Sequence, residues 1–171
     1  MYTSKEQAIV SEIIVPFHPR FKNSRDRSAD IIANPLDYKV ERLVEQTFAA
    51  IGNYKWTDGE HADFSDGSDS KTASIRVNPA VTGSISHNGE ISNVETAGGG
   101  RKLGALRTVI WNPHKGDLRY YFLPKDFWSQ YITIHPSSGI GKIIFAYNRE
   151  KDYIRKFEGF QASNFKQLAK A

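Results

Sequence analysis

Asp63-Phe64-Ser65-Asp66-Gly67-Ser68-Asp69-Ser70-Lys71-Thr72-Ala73-Ser74-Ile75-Arg76-Val77 changes character halfway along. Its first half is made of Asp, Ser and Gly, which form turns because they tolerate or stabilise tight backbone. Its second half is β-rich, stops at Asn78-Pro79, and predicts a strand over 70–77. Asp66-Gly67 marks the turn between the halves. A tight turn over 65–67 places Asp63 opposite Asp69, and strand alternation puts Asp69 and Lys71 on one face. Two carboxylates converging there can hold Mg²⁺, a hard cation that takes oxygen ligands and keeps several waters. A lysine two residues on would lie beside the metal. There it can orient or deprotonate a water and offset charge on a phosphorane-like transition state.

Upstream the period is helical. In Asn34-Pro35-Leu36-Asp37, Asn34 can cap, Pro35 suits the first helical position and Asp37 favours the positive end of the dipole. Leu36, Val40, Leu43, Val44, Thr47, Phe48 and Ile51 then form one stripe, and Gly52 is the expected stop. Glu41 and Glu45 lie off that stripe. Residues 53–57 suggest a short strand. Earlier, residues 4–15 predict a short helix ended before Pro16, and residues 16–34 a segment that wraps the surface.

Downstream, Asn88-Gly89 is a strong hairpin signal within residues 83–94. Its flanks are polar, so the hairpin is expected to project. Ser86, His87, Asn88 and Asn93 would then be placed to read base edges in a major groove. Gly98-Gly99-Gly100-Arg101-Lys102-Leu103-Gly104, followed by Arg107, suits a phosphate backbone: glycines allow close approach and Arg101, Lys102 and Arg107 neutralise charge. It lacks the GK[ST] ending of a nucleotide-binding P-loop. Residues 105–111 and 118–123 predict a hairpin apolar on both faces. Residues 124–131 predict a short helix, 142–147 a strand and 153–157 its partner. Ser163 is the expected cap of a last helix bearing Phe165, Leu168 and Ala169. The sum is one α+β domain over 1–171, with a central mixed, mainly antiparallel sheet flanked by helices. It divides into an N-terminal helix and wrap (1–34), a core (35–125) and C-terminal strands and helix (126–171).

Composition narrows the function. The chain has 171 residues, 39% hydrophobic and 12% aromatic, which is too apolar for a disordered chain. There is no Cys, hence no disulfide, thiolate metal site or Cys nucleophile. No apolar run approaches the roughly 20 residues of a membrane helix, and the start does not read as a signal peptide. A soluble, cytoplasmic protein without a membrane partner is expected. The 23 Lys and Arg exceed 19 Asp and Glu by +4. Five acids, Asp58, Glu60, Asp63, Asp66 and Asp69, fall within 58–69, so the rest of the chain is more cationic than the total suggests. The five histidines are dispersed without HxH or HExxH spacing, which disfavours a zinc hydrolase. The aromatic run from Trp111 to Tyr131 sits on apolar strands and is expected in the core.

Asp-x-Lys entering a strand, with an acid shortly upstream and a helix before it, resembles the PD-(D/E)xK nuclease superfamily, which includes many type II restriction endonucleases. The resemblance covers residues 35–125 and implies a core of helix, three antiparallel strands, helix and strand. It implies that Asp69 and Lys71 occupy the (D/E)xK positions, with Asp63 as the upstream acid and Asp58 or Asp66 as alternatives. Glu45, or Glu41, would join the metal site from the helix. It further implies Mg²⁺, double-stranded DNA as substrate and a homodimer on a palindromic target. No Pro precedes either upstream acid, the Asp63–Asp69 spacing is short, and Asp66 is an extra carboxylate. The competing expectations are a solvated turn-rich loop on a non-catalytic nucleic-acid-binding or accessory protein, and a metal-independent ribonuclease using the ribose 2′-OH.

Overall fold

In the computed structural model, which describes residues 2–21, 39–57, 62–78, 86–96, 103–113, 115–134, 140–147 and 153–171, the strand that begins at Asp69 is the middle of a seven-stranded mixed sheet. This strand is β1 (Asp69–Asn78). It is followed by β2 (Ser86–Thr96), β3 (Leu106–Asn112), β4 (Asp117–Leu123), β5 (Ile132–Ile134), β6 (Ile140–Tyr147) and β7 (Gln161–Ala162). The spatial order is β5-β6-β2-β1-β3-β4-β7. All pairings are antiparallel except β1 with β3. The α+β class and the mainly antiparallel mixed sheet are therefore as expected.

The exception corrects the expected run of three antiparallel neighbours. β1, β2 and β3 alternate in direction, but β2 and β3 flank β1 on opposite edges, which makes β3 parallel to β1. A second correction concerns Asn88-Gly89. These residues do not turn; they lie inside β2, with Asn88 opposite Arg76 and Ala146, and Gly89 opposite Ile75 and Phe145. The hairpin is formed by β1 and β2, and two flanking strands satisfy the β2 backbone on both edges, which outweighs a local turn preference. Residues 153–157, expected as a strand beside β6, belong instead to a 3₁₀ helix (Tyr153–Phe160), and β6 pairs with β2 and β5.

Helices cover the sheet. The first helical segment runs as α1 (Ser4–Ile9), a π-helical stretch (Val10–Ile14) and α2 (Val15–Phe17). It passes through Pro16 rather than ending before it. The wider π turn shifts the bonding pattern, so the absent Pro16 N–H is absorbed at the junction, while Val15 N–H donates to Val10 O. A capping box of Thr3 and Glu6 begins it. The long amphipathic helix is α3 (Val40–Gly52), whose stripe Val40, Leu43, Val44, Thr47 and Phe48 is buried. The predicted start at Asn34-Pro35 and most of the 16–34 segment lie outside the described residues. α4 (Lys125–Trp128) and α5 (Phe165–Lys170) complete the set. Asn164, not Ser163, caps α5: its side chain accepts from Gln167 N–H at 2.8 Å.

Strands β3 and β4 are buried on both faces, as their continuous apolar pattern predicts. Val109, Leu118 and Tyr120 join α1, α3 and α5 in one core, which includes Ile13, Val44, Phe48, Phe165 and Leu168. Leu106, Ile110, Tyr121 and Leu123 face a second core with Ala73, Trp128 and Phe157. Of the aromatic run, Tyr120, Tyr121 and Trp128 are buried, and Trp111, Phe122 and Phe127 are half-buried against these cores. Among the described residues no helix is long and apolar enough to cross a membrane.

Candidate functional site

The turn between Phe64 and β1 builds the site. Phe64 N–H donates to Ser68 O at 3.2 Å and Gly67 N–H to Phe64 O at 3.0 Å. Gly67 has φ +85, a left-handed conformation that glycine adopts without strain. Gly104 N–H donates to Gly67 O at 2.7 Å, and a Cβ on Gly104 would press on that same carbonyl. Asp69 N–H donates to Ala105 O at 3.0 Å, anchoring the start of β1 to the approach of β3.

This turn brings Asp63 and Asp69 together, as the sequence geometry predicts. Asp63 N–H donates to Asp69 Oδ1 at 2.9 Å, and Ser70 N–H donates to Asp63 Oδ2 at 2.9 Å. Lys71 Nζ lies 3.0 Å from Asp69 Oδ2, so Asp69 and Lys71 share a face. The Asp69 side chain is 1% exposed and that of Lys71 11%. Such a pair is charge-assisted and largely shielded from solvent. Burial pushes the Asp63 carboxyl from the ordinary 3.8 to about 8. The hydrogen bond and charge of Asp69, and more weakly the charge of Glu45, act in the same direction, against the opposing Ser70 N–H. Burial and the neighbouring Asp69 thus oppose ionisation of Asp63, which keeps its proton above the ordinary carboxylate range.

Glu45 comes from α3. Its Oε2 accepts from Trp56 Nε1 at 3.1 Å, and its charge reaches Asp63. Arg42 lies over the same Trp56 ring at 6.0 Å. Among the described residues, however, no group of three or more His, Asp and Glu side chains is disposed to hold a metal. Glu45, expected beside Asp63 and Asp69, is engaged by the Trp56 indole.

Asp66 has a different task. Its Oδ1 accepts from Ser68 N–H at 2.9 Å and its Oδ2 from Arg107 Nη2 at 2.9 Å. Burial pushes its carboxyl up, but the Ser68 bonds and the Arg107 guanidinium outweigh this and leave it below the ordinary range. Asp66 is thus the counter-ion of Arg107 rather than a third acid of the site.

Arg107 itself is corrected. It is completely buried, so it does not present a cation to a phosphate backbone. In the β1–β3 register it stands opposite Ser70, between the positions of Leu106 and Thr108 that pair with Asp69 and Lys71. Side chains alternate along a strand, so it leaves the sheet on the face away from theirs. Sequence reasoning missed this role because an Arg in a β-rich run reads as surface charge; the signal available was its place between buried neighbours in Ala105-Leu106-Arg107-Thr108-Val109.

The other expected contacts divide in two. His87 and Asn88 belong to an inner strand, with His87 opposite Val77 and Tyr147, and not to a projecting hairpin tip. Arg101, Lys102 and the alternative acid Asp58 lie outside the described residues. Comparison with protein-family models and with curated proteins gave no match.

Proposed function

We propose that the chain is a Mg²⁺-dependent endonuclease that hydrolyses phosphodiester bonds in double-stranded DNA, in the manner of a small restriction enzyme. One observation carries this: Asp63, Asp69 and Lys71, separated in sequence by a turn, meet with carboxylates bonded across the turn and the ammonium 3.0 Å from Asp69. A solvated loop would leave these groups in water instead of burying Asp63 and Asp69.

The donor set suits Mg²⁺. Its oxygens are hard, and one or two carboxylates suffice when waters and substrate phosphates fill the other positions. A dication would replace the proton held by Asp63. When bound, it would polarise the scissile phosphate and lower the proton affinity of water. Asp63 and Asp69 would hold it, and Glu45 would add negative charge from α3. Lys71 would hold the attacking water by an N–H donor bond and offset charge on the non-bridging phosphate oxygens. Arg101 and Lys102 would grip the DNA backbone. A palindromic target would be cut by a two-fold homodimer.

The test is plasmid cleavage with Mg²⁺, with EDTA, and with a folded Lys71→Ala variant. Cleavage lost in EDTA and in Lys71→Ala supports the proposal. Normal cleavage by folded Lys71→Ala refutes it. Salt-sensitive DNA binding without cleavage, unaffected by Asp69→Asn, would instead mark a non-catalytic nucleic-acid-binding protein. RNA cleavage that survives EDTA would mark a ribonuclease.

A further inference from the structure

We propose that Arg107 is a positioning residue: through Asp66 and Ser68 it holds the turn that sets Asp63 against Asp69, and it ties that turn to α5. The inference rests on the site described under Proposed function, but it concerns residues on the opposite face of the sheet. Arg107 Nε donates to Ser68 Oγ at 3.1 Å and Nη2 to Asp66 Oδ2 at 2.9 Å. These two acceptors lie on either side of Gly67. Nη1 donates to Leu168 O at 2.6 Å, and the two hydrogens of Nη2 are shared among Asp66 Oδ2, Tyr54 OH at 2.8 Å and Ala171 O at 2.9 Å. Its Cζ lies 4.6 Å from the centre of the Tyr54 ring and 5.0 Å from that of Phe122.

Every N–H-bearing nitrogen of the fork is therefore engaged, and the rings restrict its rotation. A guanidinium suits this because its donors are fixed in one plane, whereas a lysine ammonium is a point charge on a flexible stem. The Arg107 bonds hold the Asp66 and Ser68 side chains on either side of Gly67 and so restrain the turn between them. Asp69 follows Ser68 directly and Asp63 stands three residues before Asp66, the two bonded to each other's chain across the turn. The extra acid of the Asp63–Lys71 string thus serves the site without touching it: Asp66 fixes its geometry from behind.

The experiment compares Asp66→Asn and Arg107→Lys with Tyr54→Phe, which loses bonds to Arg107 and to Ala171 but leaves the turn acceptors in place. The first readout needs no metal or substrate. In folded Asp66→Asn, the Asp63 and Ser70 amide protons should exchange roughly tenfold faster and their resonances move upfield, because their carboxylate acceptors shift. In Tyr54→Phe they should not change. The second readout is cleavage well below each variant's melting temperature. Asp66→Asn should lower kcat roughly tenfold or more with KM for DNA held within about twofold. Unchanged Asp63 and Ser70 amides in folded Asp66→Asn overturn the proposal, as does a rise in KM at constant kcat. If Arg107→Lys fails to fold, Asp66→Asn decides. A wild-type protein that does not cleave DNA removes the endonuclease function, and the amide comparison still decides the positioning role.

Discussion

At the residue scale the decisive group is Asp63. Its carboxyl is buried against Asp69 and raised to about 8, so the folded chain holds a proton that the unfolded chain has already released above pH 4. The sign follows from linkage: stability in EDTA is full below the unfolded value, falls as pH rises, and levels off past pH 8. Asp63→Asn removes the titrating group and should flatten this decline. Thermal denaturation in EDTA at pH 5, 7 and 9 measures it; an equal slope in the variant would contradict the buried pair. A divalent ion competes with that proton, so Mg²⁺ should raise the melting temperature more at pH 9 than at pH 5. The sequence identified Asp63 because turn length and strand parity are local properties. It did not separate Asp66 from the site, because the partner of Asp66 lies 41 positions away.

At the scale of elements, local rules placed α3 and β1 well and the ends less well. Gly52 was the expected stop, but the left-handed position is Asn53, with φ 59. Gly52 is needed for space: a Cβ there would collide with the Tyr54 ring and the Ala169 carbonyl. Gly52→Ala should therefore destabilise by about 1–3 kcal/mol in urea denaturation, despite the better helix propensity of Ala. At α5, Asn164→Ala should cost about 1 kcal/mol, and Ser163→Ala much less, because the cap bond belongs to Asn164. The failure at Asn88-Gly89 has a different origin. A turn dipeptide states a local preference, and β2 overrides it with backbone bonds to both β1 and β6.

At the scale of the molecule, charge and connectivity change meaning once the chain is folded. Among the described acids of the 58–69 stretch, Asp66 faces Arg107 and Asp69 faces Lys71. Arg107 joins the acidic turn, Tyr54 and the chain from Leu168 to Ala171 around one buried guanidinium. Arg107→Ala would remove the counter-ion of Asp66 and one donor each from the Leu168 and Ala171 carbonyls. It should cost about 3–5 kcal/mol, read as a fall in the urea midpoint. The amphipathic stripe of α3, the apolar β3–β4 hairpin and the Asp63–Asp69–Lys71 spacing were all determined by the sequence alone, because each depends on neighbours within a few residues. The β2–β1–β3 order, the parallel pairing and the burial of Arg107 were decided only by tertiary structure. They depend on which distant segments satisfy the same backbone and side-chain groups, and no local period records that choice.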